Sequence, residues 1–347
     1  MAVEQRTQFE SQDTLNAWLA GHHMRGQWVN AGRTEPAGPK PFGAPHLWKA
    51  ATIREGLAAA AELVPVGEDD ARRTTCLVHP SLTGAGLASS PTLLMCVQLV
   101  MPGEMALAHR HTATALRFVV EGEVEAYTVV DGEKCVMERG DLILTPNWAW
   151  HEHHNAGTRP VVWVDGLDAP LIRAFSAGFF EPFPSPSGVQ TLTSEADSAL
   201  RRPGEISPPG QSAPRLVYKW RHTLPALQTM DPADKSPFDG RCLEYQNAGG
   251  HTLRTLTCWV QMLDPGEATA SHRHTYTHAY HAFEGSGITE VEGQEFAWQQ
   301  GDCLVVPNWT WHRHRNPDRE QPAILFSMND IPLLEWMGVL REEPARE

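Results

Sequence analysis

The sequence predicts an all-β protein made of two copies of one strand-rich domain, and three observations carry that prediction. The first is an internal repeat. Residues 103–122 read GEMALAHRHTATALRFVVEG and residues 266–285 read GEATASHRHTYTHAYHAFEG, while GDLILTPNWAWHEHHN (140–155) is matched by GDCLVVPNWTWHRHRN (301–316). The offset is 163 residues for the first pair and 161 for the second, and the lead-in CVQLVMPGE (96–104) has its counterpart in WVQMLDPGE (259–267). The second is a series of short apolar runs, such as DLILTP and DCLVVP, stopped by proline and separated by Gly, Pro and Asn, as in a sandwich or small barrel. The third is VEAYTVVDGEKCVM, which alternates and turns at Asp131–Gly132, a two-residue hairpin signal.

In chain order, residues 1–70 read as a helical arm and lead-in, with helical periodicity over Asp13 to His22 and again over 52–63. Residues 71–180 hold the first copy. Residues 181–235, which include PFPSPSGVQ and RRPGEISPPGQSAP, read as a Pro, Ser and Gly-rich linker running along the surface. Residues 236–347 hold the second copy and a partly helical tail.

With 347 residues, 41% of them hydrophobic, the chain can bury a sizeable core. Lys plus Arg number 28 against 42 Asp plus Glu, a net charge of −14, which argues against nucleic acid or an anionic membrane as partner. No apolar stretch approaches the ~18 residues that span a bilayer, and the first thirty residues lack the pattern of a signal peptide. The six cysteines are scattered without a CxxC pair, which reads as reduced thiols in the cytoplasm.

Eleven of the 17 histidines fall in two windows, 109–154 and 272–314. His109 and His111 sit two apart, so on a strand both leave the same face. His151 arrives from a second strand, completing a three-nitrogen site with open positions. Imidazole suits Fe, Zn, Cu or Ni, so spacing leaves the metal open. The second copy keeps His272, His274 and His312 as a second set of the same spacing. His153 is expected to face inward beside the metal, to hold or relay a proton or else to brace the barrel wall. Glu152 and His154 fall on the opposite face and are expected at solvent or an interface. Arg117, an even six residues after His111, is expected to point inward, where its planar fork suits a carboxylate bidentately. The tryptophans at 148, 150, 309 and 311 are expected to pack the barrel mouths.

These residues carry a family resemblance. Gly103, His109, His111 and Gly122, followed by Gly140, Pro146, His151 and Asn155, resemble the two cupin motifs, and the spacing recurs at Gly266, His272, His274 and Gly285, then Gly301, Pro307, His312 and Asn316. The chain thus resembles a bicupin, which implies two double-stranded β-helix (jelly-roll) barrels with a few flanking helices. AHRHTATALRF and PNWAWHEHHN resemble the gentisate 1,2-dioxygenase family, which includes salicylate and 1-hydroxy-2-naphthoate dioxygenases. The resemblance runs from about residue 15 to 342.

The resemblance implies an iron(II) enzyme, with Fe(2+) on His109, His111 and His151, that cleaves the ring of gentisate or a related 2-hydroxybenzoate with O2. It also implies a homotetramer, and a pocket shared by Arg117, Gln98, Asp165 and a capping Arg73, although Asp165 could instead be Arg117's internal counter-ion. The usual cupin glutamate is replaced by Ala115, so an anionic bidentate substrate can compensate the metal's charge. That replacement argues against decarboxylating or isomerising bicupins, and the intact ligands argue against a storage bicupin. Tyr280 and Ser327 stand where the first copy has Arg117 and Asp165, so the second copy is expected to be structural or degenerate, without metal. The EGEVEAYTVV stretch and Cys96 depart from the gentisate pattern and point to 5-substituted salicylates as the alternative substrates.

Overall fold

A computed structural model describes residues 9–30, 36–66, 72–195, 215–247 and 250–345. The central part of the expected linker, 196–214, lies outside the described residues. The chain divides into a unit ending at Lys40 and one running from Pro41 to Glu347. In the first, helix Gln12–Gly21 begins at a reciprocal cap: Ser11 Oγ accepts from the Thr14 N–H, and Thr14 Oγ1 accepts from the Ser11 N–H.

In the second unit each sequence copy folds into two facing sheets. In the N-terminal barrel one sheet contains Leu94–Val100, Ala115–Glu121, Leu142–Thr145 and Val161–Leu167, and the other contains Met105–His111, Ala126–Val130, Glu133–Val136 and His151–Asn155. The C-terminal barrel repeats the plan with Thr257–Leu263, His278–Glu284, Cys303–Val306 and Ala323–Asn329 facing Ser286–Val291, Gln294–Gln299, His272–His274 and His312–Arg315. The expected hairpin forms: Val130 pairs with Glu133, and Asp131 and Gly132 take φ of 46° and 82°, the left-handed pair that a tight primed turn requires.

The first-named sheet of each barrel is covered on both faces. Along Ala115–Glu121, Val119 turns into its own barrel with Ile143 and Trp163, whereas Leu116 and Phe118 turn outward into a core shared with Val260, Phe283 and Phe326 of the other copy. Phe118 stacks on Phe326 with ring centroids 4.1 Å apart and planes 6° apart. Burial on two sides explains why LMCVQLV and AILFSMN are nearly continuous apolar runs instead of alternating ones.

The lead-ins cross over. His46–Trp48, ahead of the first copy, pairs with Cys303–Val306 of the second barrel, and Val217–Tyr218, ahead of the second copy, pairs with Leu142–Thr145 of the first. The aspartate of each GD motif secures the crossing. Asp302 accepts from the Ala50 N–H at 2.7 Å and from Lys49 Nζ at 2.9 Å, and Asp141 accepts from the Trp220 N–H at 2.9 Å and pairs with Lys219. These carboxylates sit at the N-termini of helices Ala50–Leu63 and Trp220–Gln228, where the backbone leaves N–H groups unsatisfied. The helix at 220–228 has no counterpart in the sequence reading, because Pro225 interrupts its pattern. Among the described residues, no helix is long and apolar enough to cross a membrane.

Candidate active site

Two antiparallel strands bring the first histidine set together. His109 lies opposite His151, and a register shift between Ala106 and His109 makes a bulge immediately before the ligands, a device that re-aims side chains. The His109 and His151 ring centroids are 4.0 Å apart, and one nitrogen from each of His109, His111 and His151 lies within 4.8 Å of the others.

A carbonyl oxygen can only accept, so it identifies which ring nitrogen carries hydrogen. Nδ1 of His111 donates to Ala113 O at 2.7 Å and Nδ1 of His151 to Ala149 O at 3.0 Å, which leaves both Nε2 lone pairs for a metal. His109 is different. Its Nδ1 lies 3.2 Å from Leu107 O but 2.6 Å from Nη2 of Arg72, and a guanidinium can only donate. Ligation through Nε2 therefore requires His109 to keep Leu107 and let Arg72 go. Burial holds the set uncharged. Desolvation lowers the pKa of His111 to about 4 and, with Arg72 adding to it, that of His109 to about 2, while His151 is also held well below its ordinary value. Three neutral imidazoles, with Nε2 lone pairs free on His111 and His151 and made free on His109 once Arg72 lets go, fit a borderline divalent cation.

The turn over this set is built with strain. Trp148 adopts φ of 63° and its N–H donates to His111 O at 3.0 Å; Trp309 repeats this at 57°, bonding His274 O at 2.6 Å. Arg110, between the two ligands, is held by the Trp148 and Trp150 rings at 4.5 and 4.3 Å and by Glu181 at 2.6 Å. These tryptophans thus brace the ligand strand.

The pocket residues separate into those that meet and those that do not. Arg117 is buried and faces Asp165 directly across the strand pair, with Nε 3.5 Å from Oδ1. Its Nη1 donates to Thr145 Oγ1, its Nε is buried without a hydrogen bond, and among the described residues no hydrogen bond engages Nη2. The even spacing from His111 is not the reason it points inward, because the two lie on different sheets. Burial pushes the Asp165 pKa up to about 6, although Arg117 beside it pulls the other way. Gln98, two residues along the strand from Cys96, is buried with its Nε2 unpartnered. His153 is buried too, its Nδ1 2.8 Å from Thr128 Oγ1. The Cys96 and Cys76 sulfurs are 3.2 Å apart, and both cysteines are free thiols.

Two expectations need correction. Arg73 does not cap the pocket: its Nε donates to Val64 O at 2.7 Å and Ala60 O at 3.2 Å at the end of helix Ala50–Leu63, and its Nη1 pairs with Glu104. The arginine that reaches the histidines is its neighbour Arg72, since adjacent residues entering a strand take opposite sides. Glu152 is not at the surface either. It is fully buried, with Oε2 accepting from the Gln190 N–H at 2.8 Å and Oε1 2.8 Å from His154 Nε2, because residues 186–195 return over that face.

The second barrel assembles His272, His274 and His312 just as closely, with a nitrogen of each within 4.8 Å of the others. Tyr280 faces Ser327 where Arg117 faces Asp165. His278, at the usual glutamate position, is engaged by Tyr280 Oη and by Asn329 Nδ2 at 3.1 Å instead of joining the set.

Two barrels of this topology, each with a converging His-x-His and a later His, define a bicupin, and the cupin domain model matches the chain twice, at residues 96–167 and 259–329. The chain is 39% identical over 344 residues to a 1-hydroxy-2-naphthoate 1,2-dioxygenase of Nocardioides sp. (strain KP7), covering 95% of this chain and 88% of that one. It is 36% identical to a 5-aminosalicylate 1,2-dioxygenase of Comamonas sp, over 95% and 90% of the two chains. The crystal structure of salicylate 1,2-dioxygenase from Pseudoaminobacter salicylatoxidans with gentisate superposes with a TM-score of 0.87 at 30% identity, covering 100% and 98%. The protein belongs to the bicupin ring-cleaving dioxygenases of the gentisate and salicylate 1,2-dioxygenase family.

Proposed function

We propose that this enzyme uses ferrous iron, Fe(2+), on His109, His111 and His151 to cleave a 2-hydroxy aromatic acid with O2, between the carboxyl-bearing and hydroxyl-bearing carbons. The observation that carries this reading is a neutral three-histidine set with no carboxylate ligand, since Ala115 stands at that position, beside two guanidinium groups, Arg72 and Arg117. When bound, iron supplies the coordination positions and the redox chemistry for O2 and the aromatic ring.

The residues account for the rest. Neutral ligands leave the cation's charge uncompensated, so the pocket favours an anionic substrate. Arg117 Nη2 supplies one charge-assisted hydrogen bond to its carboxylate, and Arg72, released from His109 on ligation, supplies another. Asp165 holds Arg117 in place instead of acting on the substrate, and Gln98 Nε2 offers a donor to the hydroxyl side. His153, steadied by Thr128 at 2.8 Å, is the side chain whose ring is placed to relay a proton, and burial keeps its resting form neutral. Gentisate, salicylate, 5-aminosalicylate and 1-hydroxy-2-naphthoate share the carboxylate beside a hydroxyl that these groups address, and they differ elsewhere on the ring.

The test is oxygen uptake by anaerobically iron-loaded protein on those four acids and on catechol, with products identified by mass spectrometry. At least one acid should be cleaved and catechol should not. Efficient catechol turnover, or no uptake with any of the acids, would sink the assignment.

A further inference from the structure

Two cysteines meet inside the first barrel. Cys76 and Cys96 lie opposite each other on the antiparallel strands Thr74–Cys76 and Leu94–Val100, with their sulfurs 3.2 Å apart and both thiols free. The register suits a bond between them. The Leu77 N–H donates to Met95 O at 2.9 Å and the Leu99 N–H to Arg73 O at 3.0 Å, so positions 77/95 and 73/99 carry the ladder. By alternation 76/96 is a non-hydrogen-bonded pair, whose Cα atoms approach to about 4.5 Å. That lies inside the ~4.4–6.8 Å that a disulfide spans.

The two thiols are not equivalent. Thr74–Cys76 is the edge strand of its sheet and Cys76 is half-buried, whereas Cys96 is 2% exposed. The Cys96 S–H donates to Cys76 Sγ, which lowers the Cys76 pKa, while the same contact and burial push that of Cys96 up. Cys76 is therefore the nucleophile and Cys96 the thiol that follows it. Other sulfurs have other neighbours: Cys135 Sγ turns to Glu133 O at 3.6 Å and Cys303 Sγ to His281 Nδ1 at 3.5 Å. In the second barrel the matching cross-strand position holds Glu244 opposite Trp259, so the thiol pair is not part of the duplicated plan.

The pair also stands at the end of a row that reaches the pocket arginines. Cys96 lies opposite Asp165 on the next strand, and Asp165 opposite Arg117 on the one after. On the other side, Arg72, which contacts His109, sits four residues before Cys76 in the lead-in to the same edge strand. Bonding draws the sulfurs from 3.2 Å to about 2 Å. Leu94–Val100 is paired along its whole length with Val161–Leu167, so the short edge strand is what moves, and Arg72 moves with it.

We infer that Cys76 and Cys96 are a reversible redox pair, oxidised by hydrogen peroxide to a cross-strand disulfide that weakens the enzyme's hold on its acid substrate. The Cys76 thiolate attacks one peroxide oxygen, the O–O bond breaks, hydroxide leaves and takes up a proton as water, and Cys76 becomes a sulfenic acid. The Cys96 sulfur then displaces the sulfenic hydroxyl as a second water, and the S–S bond forms. Each thiol gives up one hydrogen, and the peroxide is reduced to two waters. A dithiol reverses the change by exchange and is itself oxidised. Transient disulfides of this kind are the ones that reducing compartments tolerate. The effect on substrate rests on the carboxylate contacts proposed for Arg72 and Arg117, whereas formation of the bond does not.

The experiment treats iron-loaded full-length protein with hydrogen peroxide, quenches with catalase, and blocks the remaining thiols with iodoacetamide in denaturant. Trypsin leaves residues 74–110 as one peptide, so the bond reads as that peptide unblocked and two hydrogens lighter, with Cys135 and Cys303 blocked. In parallel, quenched protein is reloaded anaerobically with fresh ferrous iron, so that oxidised metal does not count, and titrated with salicylate and with 1-hydroxy-2-naphthoate. Wild type should lose about ten- to a hundredfold in affinity, the equivalent of one charge-assisted hydrogen bond. Dithiothreitol should restore both the thiols and the affinity. Cys76→Ser and Cys76→Ala, each compared with its own untreated protein, should lose nothing. Peptide 74–110 with both cysteines blocked after treatment overturns the inference, as does a disulfide that leaves affinity unchanged or an equal loss in Cys76→Ser. If untreated wild type binds neither acid, the functional reading has failed, and the state of peptide 74–110 still decides the redox pair.

Discussion

Replacing Arg117 by lysine keeps a positive charge inside the first barrel and removes the guanidinium geometry. Two of Arg117's nitrogens are already placed, Nη1 at Thr145 and Nε 3.5 Å from Asp165, so Nη2 is the one left for a ligand. The loss is then one charge-assisted hydrogen bond and not a two-pronged clamp. That is about 1.5–3 kcal/mol, or roughly ten- to a hundredfold in affinity. A lysine can still face Asp165, so stability should change little. Arg117→Met is the contrasting perturbation, because it strands a buried carboxylate, a loss of roughly 3–5 kcal/mol. The pH dependence gives the sign. Burial already puts the Asp165 pKa at about 6, above its unfolded value, and losing Arg117 raises it further. Folded protein then holds the proton to higher pH than unfolded protein, so stability falls as pH rises. The deficit of Arg117→Met relative to wild type should open as pH rises through about 6 and close below it. Anaerobic binding titrations on iron-loaded protein, with a 2-hydroxybenzoate and with the matching phenol, measure the first effect. Unchanged affinity for the acid after Arg117→Lys, or equal weakening for the phenol, would refute the carboxylate contact.

The remaining predictions concern the metal, the proton and the barrel interface. His109→Ala, His111→Ala and His151→Ala should each abolish oxygen uptake while circular dichroism stays native, and substantial activity in any of them contradicts the ligand assignment. His153→Phe should lower turnover while anaerobic substrate affinity holds, because a proton carrier acts after binding; lost affinity with unchanged turnover reverses that role. Phe326→Ala removes the ring stacked on Phe118 between the barrels and should destabilise the chain by about 3–5 kcal/mol in denaturant unfolding. A loss below about 1 kcal/mol would mean that the barrels do not depend on this core.

The duplication, the two histidine sets, the Asp131–Gly132 hairpin and the helices near 12–21 and 50–63 are legible in the sequence. Each rests on a short-range rule: identity at a fixed offset, two-residue alternation, left-handed turn residues or 3.6-residue periodicity. Arg117 is also reachable from the sequence as a lone arginine among apolar residues, although parity counted across a turn from His111 is no argument for where it points. Arg72 carried one signal, its place in a two-arginine run, and that run could not say which member turns inward.

The residue pattern therefore determines that this chain is a twofold barrel with a three-histidine set in each half. Tertiary structure alone decides how those halves are completed. It sends Arg73 to a helix end and Arg72 to His109, buries Glu152 beneath a returning segment, and sets Asp165 against Arg117 across two strands. It also carries His46–Trp48 and Val217–Tyr218 into each other's barrels and places Glu342 behind His272. These pairings join residues up to about 260 positions apart, and local propensity carries no information about contacts at that range.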